Sequence, residues 1–350
     1  MSQSIKKIQK LGIFMLALFI FMKGGQAQTT SNPSGQPGNA VYNFLTLPYS
    51  AKASSMGGIN ISSLQNDAGL AMYNPSLLEN GMDGILHLSI KPYLADIKQY
   101  DFSGVNYVAQ KNLLVGWGLH YLDYGSIPMT DVAGNQMGSF GPKDYAVQFS
   151  VAGNYHQNFH IGATLKFIQS QYGLYNSNGV AMDVGVRYRS TNELSQVSLL
   201  VNNIGTQLKS YQNKEELPFN LILGWSKKLE NAPFQFSITA EKLSLWNVTY
   251  NDTLFNFNEG YKNAASLQNI FNHFIIAGEA YMGKQVSLNV GYNFMRRFDL
   301  NIQNQQNWFN GVSTGIGYKL NRMDFQYANA FFQKNMYHHF SVYYHLKKSN

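Results

Sequence analysis

The residues whose types and spacing could support chemistry lie near the carboxyl end of the chain. His339 and Ser341 are two positions apart in "YHHFSVYYH", and Tyr343 and His345 continue the same period of two. A serine nucleophile needs a histidine base that is itself oriented by a third group. A lipid hydrolase would also need this pair on an apolar face, whereas the alternation places it on the polar face. We therefore interpret these side chains as lining residues, and we predict no enzymatic activity, no catalytic residue and no cofactor.

Charged residues also share the polar face of alternating stretches. Their simplest role is an ionic network between enclosed side chains and water, and the sharper alternative is a path for a substrate or peptide. The eight histidines are dispersed, and the adjacent His338 and His339 point to opposite faces of a strand, so no spacing indicates a metal site. The charges predicted to face inward are Lys166, Asp183, Arg187, Lys319 and Asp324.

These residues must be positioned by β-strands, because period-two alternation is the dominant pattern of the sequence. In "VSLNVGYNF", Val286, Leu288 and Val290 alternate with Ser287 and Asn289. A soluble β-sandwich alternates too, but its outward face is normally charged, whereas this polar face is rich in Gly, Ser and Asn. The apolar face often ends in an aromatic residue, as lipid-facing strands do. We predict an all-β fold, a single-chain antiparallel transmembrane β-barrel of about 14 strands spanning 85–347.

The lengths of the connections support a barrel independently. Outer-membrane barrels have long loops at one end and short turns at the other. Every second connection here is brief, while the intervening ones include 123–143 and 246–271. The predicted strands lie near 85–92, 99–109, 113–122, 144–153, 158–169, 179–190, 194–204, 217–229, 233–245, 272–282, 286–296, 310–320, 322–333 and 338–347.

A secretory signal peptide is expected at 1–27. Lysines precede an apolar stretch of about a dozen residues, which is too short for a spanning helix, and the small residues Gly25 and Ala27 stand before the expected cut. Removing this segment takes away four lysines and lowers the net charge from +7 to +3, so the basic balance gives no indication of nucleic-acid binding. The chain has no cysteine, which excludes disulfides.

A segment rich in small polar residues lies between the leader and the first strand. Residues 28–39 are expected to form a flexible lead-in. Residues 40–84 are predicted to form a hatch inside the lumen and not a separate periplasmic subdomain, because a barrel of about fourteen strands encloses more space than its wall side chains fill. Asp67 would form a turn or pair with a cation of the wall. The predicted hatch motif is Gly57, Gly58, Asp67, Asn74 and Pro75.

Several stretches carry a resemblance to a known family. "YNFLTLPYSAKASSMGGINIS" and "NDAGLAMYNPSLL" resemble the N-terminus of the PorQ family of type IX secretion system proteins of Bacteroidetes. "LDYGSI", "GSFGPKDYAVQFS", "LVNNIGTQL" and "ELPFNLILGWSKKLENAPFQFS" are similar as well, so the resemblance covers most of the mature chain. The glycines followed by Asp67 and Asn74-Pro75 also resemble the FadL-type transporters and PorV, with Ser76 where that family usually has alanine.

The resemblance implies a fourteen-stranded outer-membrane barrel that belongs to a cell-surface attachment complex. Its expected partners are PorZ, together with PorU and PorV, and this complex removes the C-terminal signal of cargo proteins and links them to lipopolysaccharide. Outer-membrane lipid is a further expected partner, and nucleic acid is not. An even number of strands would place both termini in the periplasm.

A long outer loop is the predicted docking surface for a partner. The connection 246–271, alone or together with 123–143, carries the aromatic residues Tyr250, Phe255, Phe257 and Tyr261, although aromatics at a rim also form an interfacial girdle. Our first functional hypothesis is a non-enzymatic anchor for the attachment complex. The alternative is a FadL-like transporter of hydrophobic small molecules, in which the hatch moves.

The assigned faces predict unequal costs for substitutions on one strand. Val184→Arg would place a charge against lipid at mid-strand and cost roughly 2–4 kcal/mol. Gly185→Ser, pointing inward at the next position, would cost much less.

Overall fold

The computed structural model of this protein describes residues 40–246, 248, 266–300 and 307–347. The predicted signal peptide (1–27) and flexible lead-in (28–39) lie outside the described residues.

Fourteen strands close into one antiparallel barrel, which confirms the predicted fold class. The last strand returns to pair with the first, with Ile85 opposite His345 and Ser89 opposite Ser341. Closure gives every barrel strand a partner on both sides, so the wall has no open edge. The strands of the barrel are β1 (Ile85–Pro92), β2 (Lys98–Val108), β3 (Leu113–Asp123), β6 (Lys143–His156), β7 (Phe159–Tyr172), β8 (Tyr175–Arg189), β9 (Ser195–Lys209), β10 (Asn220–Lys228), β11 (Phe234–Ala240), β12 (Phe274–Met282), β13 (Val286–Asn293), β14 (Val312–Lys319), β15 (Met323–Phe332) and β16 (Asn335–His345). Two further strands, β4 (Ile127–Thr130) and β5 (Gln136–Phe140), lie outside the barrel.

Two predicted strands end early. The strand predicted at 233–245 ends at Ala240, because Lys242 adopts a left-handed φ of 57° and its N–H donates to Asn220 Oδ1 at 2.7 Å. The strand predicted at 286–296 ends at Asn293, where a helix begins. The connection predicted as a loop at 123–143 contains the separate hairpin of β4 and β5.

The two ends of the barrel differ in the length of their connections. At the turn end the connections are 109–112, 157–158, 190–194, 229–233, 283–285 and 320–322, of which the longest have five residues. At the opposite end, the loop end, they include 124–142, 210–219 and 241–273. The predicted rhythm of long loops and short turns is therefore present.

Side chains alternate between the two faces of the wall. On β13, Leu288 and Val290 are 42% and 52% exposed on the outside, whereas Asn289 between them is buried on the inside. In the hairpin of β14 and β15, Lys319 lies opposite Asp324, which is the predicted register. A slip of one residue would move every side chain to the other face.

Helices lie in the hatch, in the long loops and in one short turn. Within the described residues, none has the length and apolar character that crossing a membrane requires. The α-helices are α1 (Ala51–Ser55), α2 (Ala68–Tyr73), α3 (Ser266–Asn272) and α4 (Phe294–Leu300), and the 3-10 helices are Asn43–Thr46, Pro75–Leu77, Asn80–Met82 and Ala109–Lys111.

The hatch, residues 40–84, crosses the lumen from one end to the other. Val41 N donates to Glu216 O at 2.9 Å at the loop end, and Gly84 N donates to Val105 O at 2.9 Å at the turn end. Between these points its apolar residues form two buried clusters with the inner wall, one around Leu70 and the other around Leu45. The hatch therefore supplies much of the core of the molecule.

Candidate functional site

The hatch touches the wall where inward-facing glycines remove the wall side chain. A Cβ added at Gly291 would lie 2.3 Å from Gly57 N and 2.4 Å from Met56 C. A Cβ at Gly162 would lie 2.5 Å from the carbonyl carbon of Pro75. Contacts this short with backbone atoms do not occur, so only glycine allows the hatch backbone this close. At Gly185, Gly224 and Gly315 an added Cβ would instead lie 2.2, 2.7 and 2.5 Å from side-chain atoms of the hatch.

The structure corrects the small cost predicted for Gly185→Ser. A Cβ at Gly185 would lie 2.2 Å from Asn74 Oδ1. That oxygen already accepts hydrogen bonds from Ser76 N at 3.1 Å and Ser76 Oγ at 2.8 Å. Because Asn74 is buried and held by these bonds, the substitution displaces the hatch, and the expectation of a low cost is wrong.

The predicted hatch motif forms the bends of the hatch. Gly57 and Gly58 follow α1 with φ values of 91° and 111°, a region that disfavours side chains. Asn74 caps the next 3-10 helix, and Pro75 is its first residue, where no backbone N–H is needed. Asn74 Nδ2 also donates to Ile61 O at 2.8 Å and so joins two passes of the hatch.

Asp67 is the N-cap of α2, and among the described residues it forms no ion pair with a cation of the wall. Its Oδ1 accepts from Leu70 N at 2.9 Å, which satisfies a free N–H of the first helical turn. Its wall contacts are neutral groups, Tyr343 Oη at 3.1 Å and Gln326 Nε2 at 3.2 Å. Of the two predicted roles, the structure therefore favours the local one.

Lys166 and Asp183 form a fully buried ion pair of 2.7 Å in the wall. Lys166 Nζ also donates to Asn202 Oδ1 at 3.1 Å and Asn203 Oδ1 at 2.9 Å. At this position β9 has an extra residue relative to β8, and Asp183 Oδ1 accepts from Asn203 N at 2.8 Å. The pair thus satisfies a backbone group that the bulge removes from the ladder.

Arg187 faces inward and contacts Glu79 of the hatch. A second hatch ion pair joins Lys52 to Glu279 on β12 at 2.9 Å, with both side chains buried. No pattern in the sequence singles out Glu79, Lys52 or Glu279 as a member of an ion pair. The inward position of Glu279 in "FIIAGEAYM" is readable from the alternation, but its partner in the hatch is not.

The predicted inward position of Lys319 is corrected. Lys319 is exposed at the end of β14, although its backbone is in register with Asp324. Asp324 pairs instead with His345 Nε2 at 3.1 Å. The strand ends at the rim, where a long lysine side chain reaches water more easily than the lumen.

His339 and Ser341 fasten the hatch to β16. His339 Nδ1 lies 2.7 Å from Ser54 Oγ, and its Nε2 contacts Ser89 Oγ. Ser341 Oγ accepts from Ala51 N at 2.8 Å. Both ring nitrogens of His339 thus contact hydroxyls, which leaves neither for an orienting carboxylate. His339 and Ser341 are both buried, and their contacts hold the hatch in place.

A pocket of about 450 Å³ at the loop end is lined by tyrosine rings. Tyr172 and Tyr211 lie edge to face at 5.9 Å, and Tyr124 packs on Tyr172 at 5.5 Å. Burial raises the pKa of Tyr124 and Tyr211, so both phenols stay neutral. Their hydroxyls donate to the wall, Tyr124 to Asp144 at 2.7 Å and Tyr211 to Ser170, and of the two rings that of Tyr211 lines the pocket.

A second group at the loop end combines cations with aromatic rings; we name it the cation–aromatic cluster. Lys91 Nζ lies 4.9 Å from the ring of Tyr93, and the guanidinium of Arg296 lies 4.9 Å from the ring of Phe332, which packs on Tyr337 at 4.9 Å. Within the described residues, neither cation forms an ion pair. Burial lowers the pKa of Arg296 to about 10. The cations are held by these rings, and Arg296 Nη2 also donates to Gly57 O at 3.0 Å.

The predicted docking residues Tyr250, Phe255, Phe257 and Tyr261 lie outside the described residues. The described end of that connection includes α3, on which Leu267 and Phe271 are 68% and 53% exposed. Trp308, in the connection between β13 and β14 at the same end, is 88% exposed. The described part of the loop end therefore carries exposed apolar side chains, while the docking surface itself stays a prediction.

No protein-family model and no curated protein sequence matches the chain. Solved structures do match. The monoaromatic hydrocarbon channel CymD has 14% sequence identity and a TM-score of 0.56, with 88% of this chain and 100% of that chain covered. The Pseudomonas putida toluene transporter TodX has 12% identity and a TM-score of 0.51, with coverage of 85% and 96%.

These similarities define the class: the chain has the fold of a FadL-like β-barrel with fourteen strands. At such identities the likeness concerns the fold alone. The resemblance to the PorQ family remains a prediction from the sequence.

Proposed function

We propose that this protein is an outer-membrane β-barrel that takes up a small hydrophobic molecule at its loop end and passes it inward when the hatch moves. The fold shared with CymD and TodX supports an outer-membrane location, with the loop end outward. The same two proteins are described as channels for monoaromatic hydrocarbons and for toluene, which supports the substrate class.

The tyrosine-lined pocket at the loop end carries this proposal. Its volume of about 450 Å³ is several times that of a cavity that holds benzene, roughly 150 Å³. Tyr172 and Tyr211 offer ring faces and edges, against which an aromatic guest packs favourably. The rings therefore suit an aromatic guest, while Gln212, Asn213 and Glu215 complete the lining with polar side chains.

The pocket continues into apolar surface inside the barrel. Tyr211 packs against the buried cluster formed by Val41, Phe44 and Leu45 of the hatch with the wall. Tyr42 beside them is held by a hydrogen bond of 2.5 Å between its hydroxyl and Ser177 Oγ. A guest that leaves the pocket thus meets hatch side chains next, and passage requires this part of the hatch to shift.

Uptake of toluene is the direct test. The full chain is produced in the outer membrane of a Gram-negative host without a hydrocarbon channel, and entry of radiolabelled toluene is measured. We expect faster uptake than in the host alone, and loss of most of the gain in a Tyr172→Ala/Tyr211→Ala variant.

Tyr155→Ala serves as the matched control, because Tyr155 is 56% exposed at the turn end of β6, far from the pocket. Heat-modifiable migration on gels checks that each variant folds. Uptake equal to that of the host alone, in cells that contain the folded barrel, would refute the transport proposal.

A second candidate is the anchor for a type IX attachment complex with PorZ, PorU and PorV. The sequence resemblance supports it. Buried ion pairs such as Lys52–Glu279 support it too, because they hold the hatch to the wall. The hairpin of β4 and β5 also presents exposed Met129, Val132 and Met137 at the loop end.

Affinity purification from native outer membranes tests the anchor. A sortase-like partner should co-purify with the wild-type chain and be lost when 250–268, or the hairpin 127–140, is deleted. A folded deletion variant that lacks both segments and still retains the partner would exclude these loops as the docking surface.

A further inference from the structure

A separate pocket of about 260 Å³ opens at the turn end of the barrel. The end of the hatch forms one side through Glu79 and Asn80, and the wall forms the other through Arg187 and Arg189. A lining of amides and guanidinium groups favours a polar ligand with a carboxylate, because these groups donate hydrogen bonds in pairs. Amide side chains of the short turns complete the lining, among them Asn112, Asn154, Gln157 and Asn158.

One carboxylate of the hatch holds both guanidinium groups. Oε1 of Glu79 contacts Nη1 of Arg187 and lies 2.7 Å from Nη2 of Arg189. Two cations therefore share one oxygen of one anion. The side chains of Glu79 and Arg189 are 18% and 21% exposed, so a ligand in the pocket can reach them. The other acid of the described lining, Glu193, is exposed to water.

Two buried nitrogen atoms that line this pocket have no hydrogen-bond partner among the described residues. Arg187 is only 4% exposed, and its Nε has no hydrogen-bond partner among the described residues. The Nδ1 of His160, in the same lining, is likewise buried without a partner in the described part of the chain. A buried polar group without a partner is costly, so an acceptor that enters the pocket would relieve this cost at Arg187.

We propose that this pocket binds an acidic side chain of a short extended peptide, and that the peptide carboxylate competes with Glu79 for Arg187 and Arg189. The surrounding amide side chains pair with peptide N–H and C=O groups, which favours a peptide over a free carboxylate. Because Glu79 belongs to the hatch, binding replaces an ion pair between the hatch and the wall. The site is independent of what the lumen carries.

Calorimetric titration of the full-length protein in detergent micelles tests the site. The probe is acetyl-Gly-Glu-Gly-amide, its neutral match is acetyl-Gly-Gln-Gly-amide, and N-acetylglycine represents a free carboxylate. We expect the acidic peptide to bind about tenfold more tightly than either of the other two. Glu79→Gln removes the competing carboxylate and should strengthen binding about fivefold, whereas Arg189→Gln should weaken it about tenfold.

Arg322→Gln is the matched control, because Arg322 is an exposed arginine in another turn at the same end. It should leave the affinity unchanged, and Arg189→Lys should weaken binding less than Arg189→Gln. Equal effects at Arg189 and Arg322, or no binding of the acidic peptide to Glu79→Gln, would overturn the proposal. Equal affinity for the tripeptide and N-acetylglycine would overturn the assignment of a peptide. Should Glu79→Gln fail to fold, the contrast between the acidic and neutral peptides on the wild-type protein decides.

Discussion

Replacing a wall glycine by alanine should loosen the hatch without breaking the barrel. Gly291 on β13 faces inward, and an alanine Cβ there would lie 2.3 Å from Gly57 N and 2.4 Å from Met56 C. Ordinary contacts of a Cβ begin near 3.4 Å, so the hatch backbone must retreat by about 1 Å. Gly278→Ala is the matched control, because its Cβ faces outward and meets only Val290 Cγ1, at 3.7 Å.

The expected magnitude follows from the packing of the two backbones. Forcing extra atoms into a well-packed site costs roughly 1–3 kcal/mol. Since about 1.4 kcal/mol corresponds to a factor of ten, the population with a displaced hatch should rise roughly 5- to 140-fold in Gly291→Ala. The barrel strands themselves keep their hydrogen bonds, because alanine fits the extended backbone of β13.

Limited digestion with trypsin measures the population of molecules in which the hatch is displaced. Lys52 is the only lysine or arginine between residues 40 and 84, and it is 5% exposed in the folded protein. Cleavage after Lys52 therefore requires the hatch to open, and its rate follows the open population when closing is fast. Cleavage should accelerate in Gly291→Ala and stay at the wild-type rate in Gly278→Ala. Equal rates in the two folded variants would refute the close contact between hatch and wall.

Three further predictions concern the wall and its ion pairs. Val184→Arg on the outer face of β8 should lower the free energy of unfolding in vesicles by roughly 2–4 kcal/mol, whereas Val184→Ala should cost far less; similar losses would contradict the assigned face. Lys52→Met leaves Glu279 buried without its partner and should cost roughly 3–5 kcal/mol, most of which the double variant with Glu279→Met should restore in urea titrations. The hydrogen bond from Lys347 lowers the pKa of Asp83, so the stabilisation by this pair is present above the ordinary carboxyl pKa and is lost as the pH falls through the lowered value. The free energy of unfolding should therefore be higher for the wild-type protein than for Asp83→Asn at pH 7, and the two values should converge in acid. A difference that does not change with pH would contradict this role of the pair.

The barrel wall was predictable because its physical cause is local. Alternation along β13, with Leu288 and Val290 outward and Asn289 inward, indicates which face points out of the barrel without knowledge of any other strand. The register of Lys319 with Asp324 follows from a short turn in the same way. The early end of β11 was not readable, because it depends on a contact between Lys242 and the distant Asn220.

The contacts between hatch and wall could not be predicted, because they join residues far apart in the sequence. Inward glycines such as Gly162 and Gly185 are visible in the alternation, but the hatch atoms that face them are set by the path of a segment without periodicity. Lys52 and Glu279 are 227 positions apart, and no local pattern joins them. The alternation predicts that a residue faces the lumen, but it does not predict which residue of the hatch that side chain contacts.

The most direct test of a barrel closed by its own hatch is a disulfide placed between the two. The chain has no native cysteine, and the hydroxyl oxygens of Ser62 in the hatch and Ser226 on β10 are 2.8 Å apart. Ser62→Cys/Ser226→Cys should cross-link efficiently on oxidation in intact outer membranes, as detected by mass spectrometry of the linked peptides. Ser62→Cys/Ser313→Cys should not, because Ser313 contacts Gly57 at another part of the wall. Failure of the first pair to cross-link in the folded barrel, or equal cross-linking of both pairs, would contradict the account.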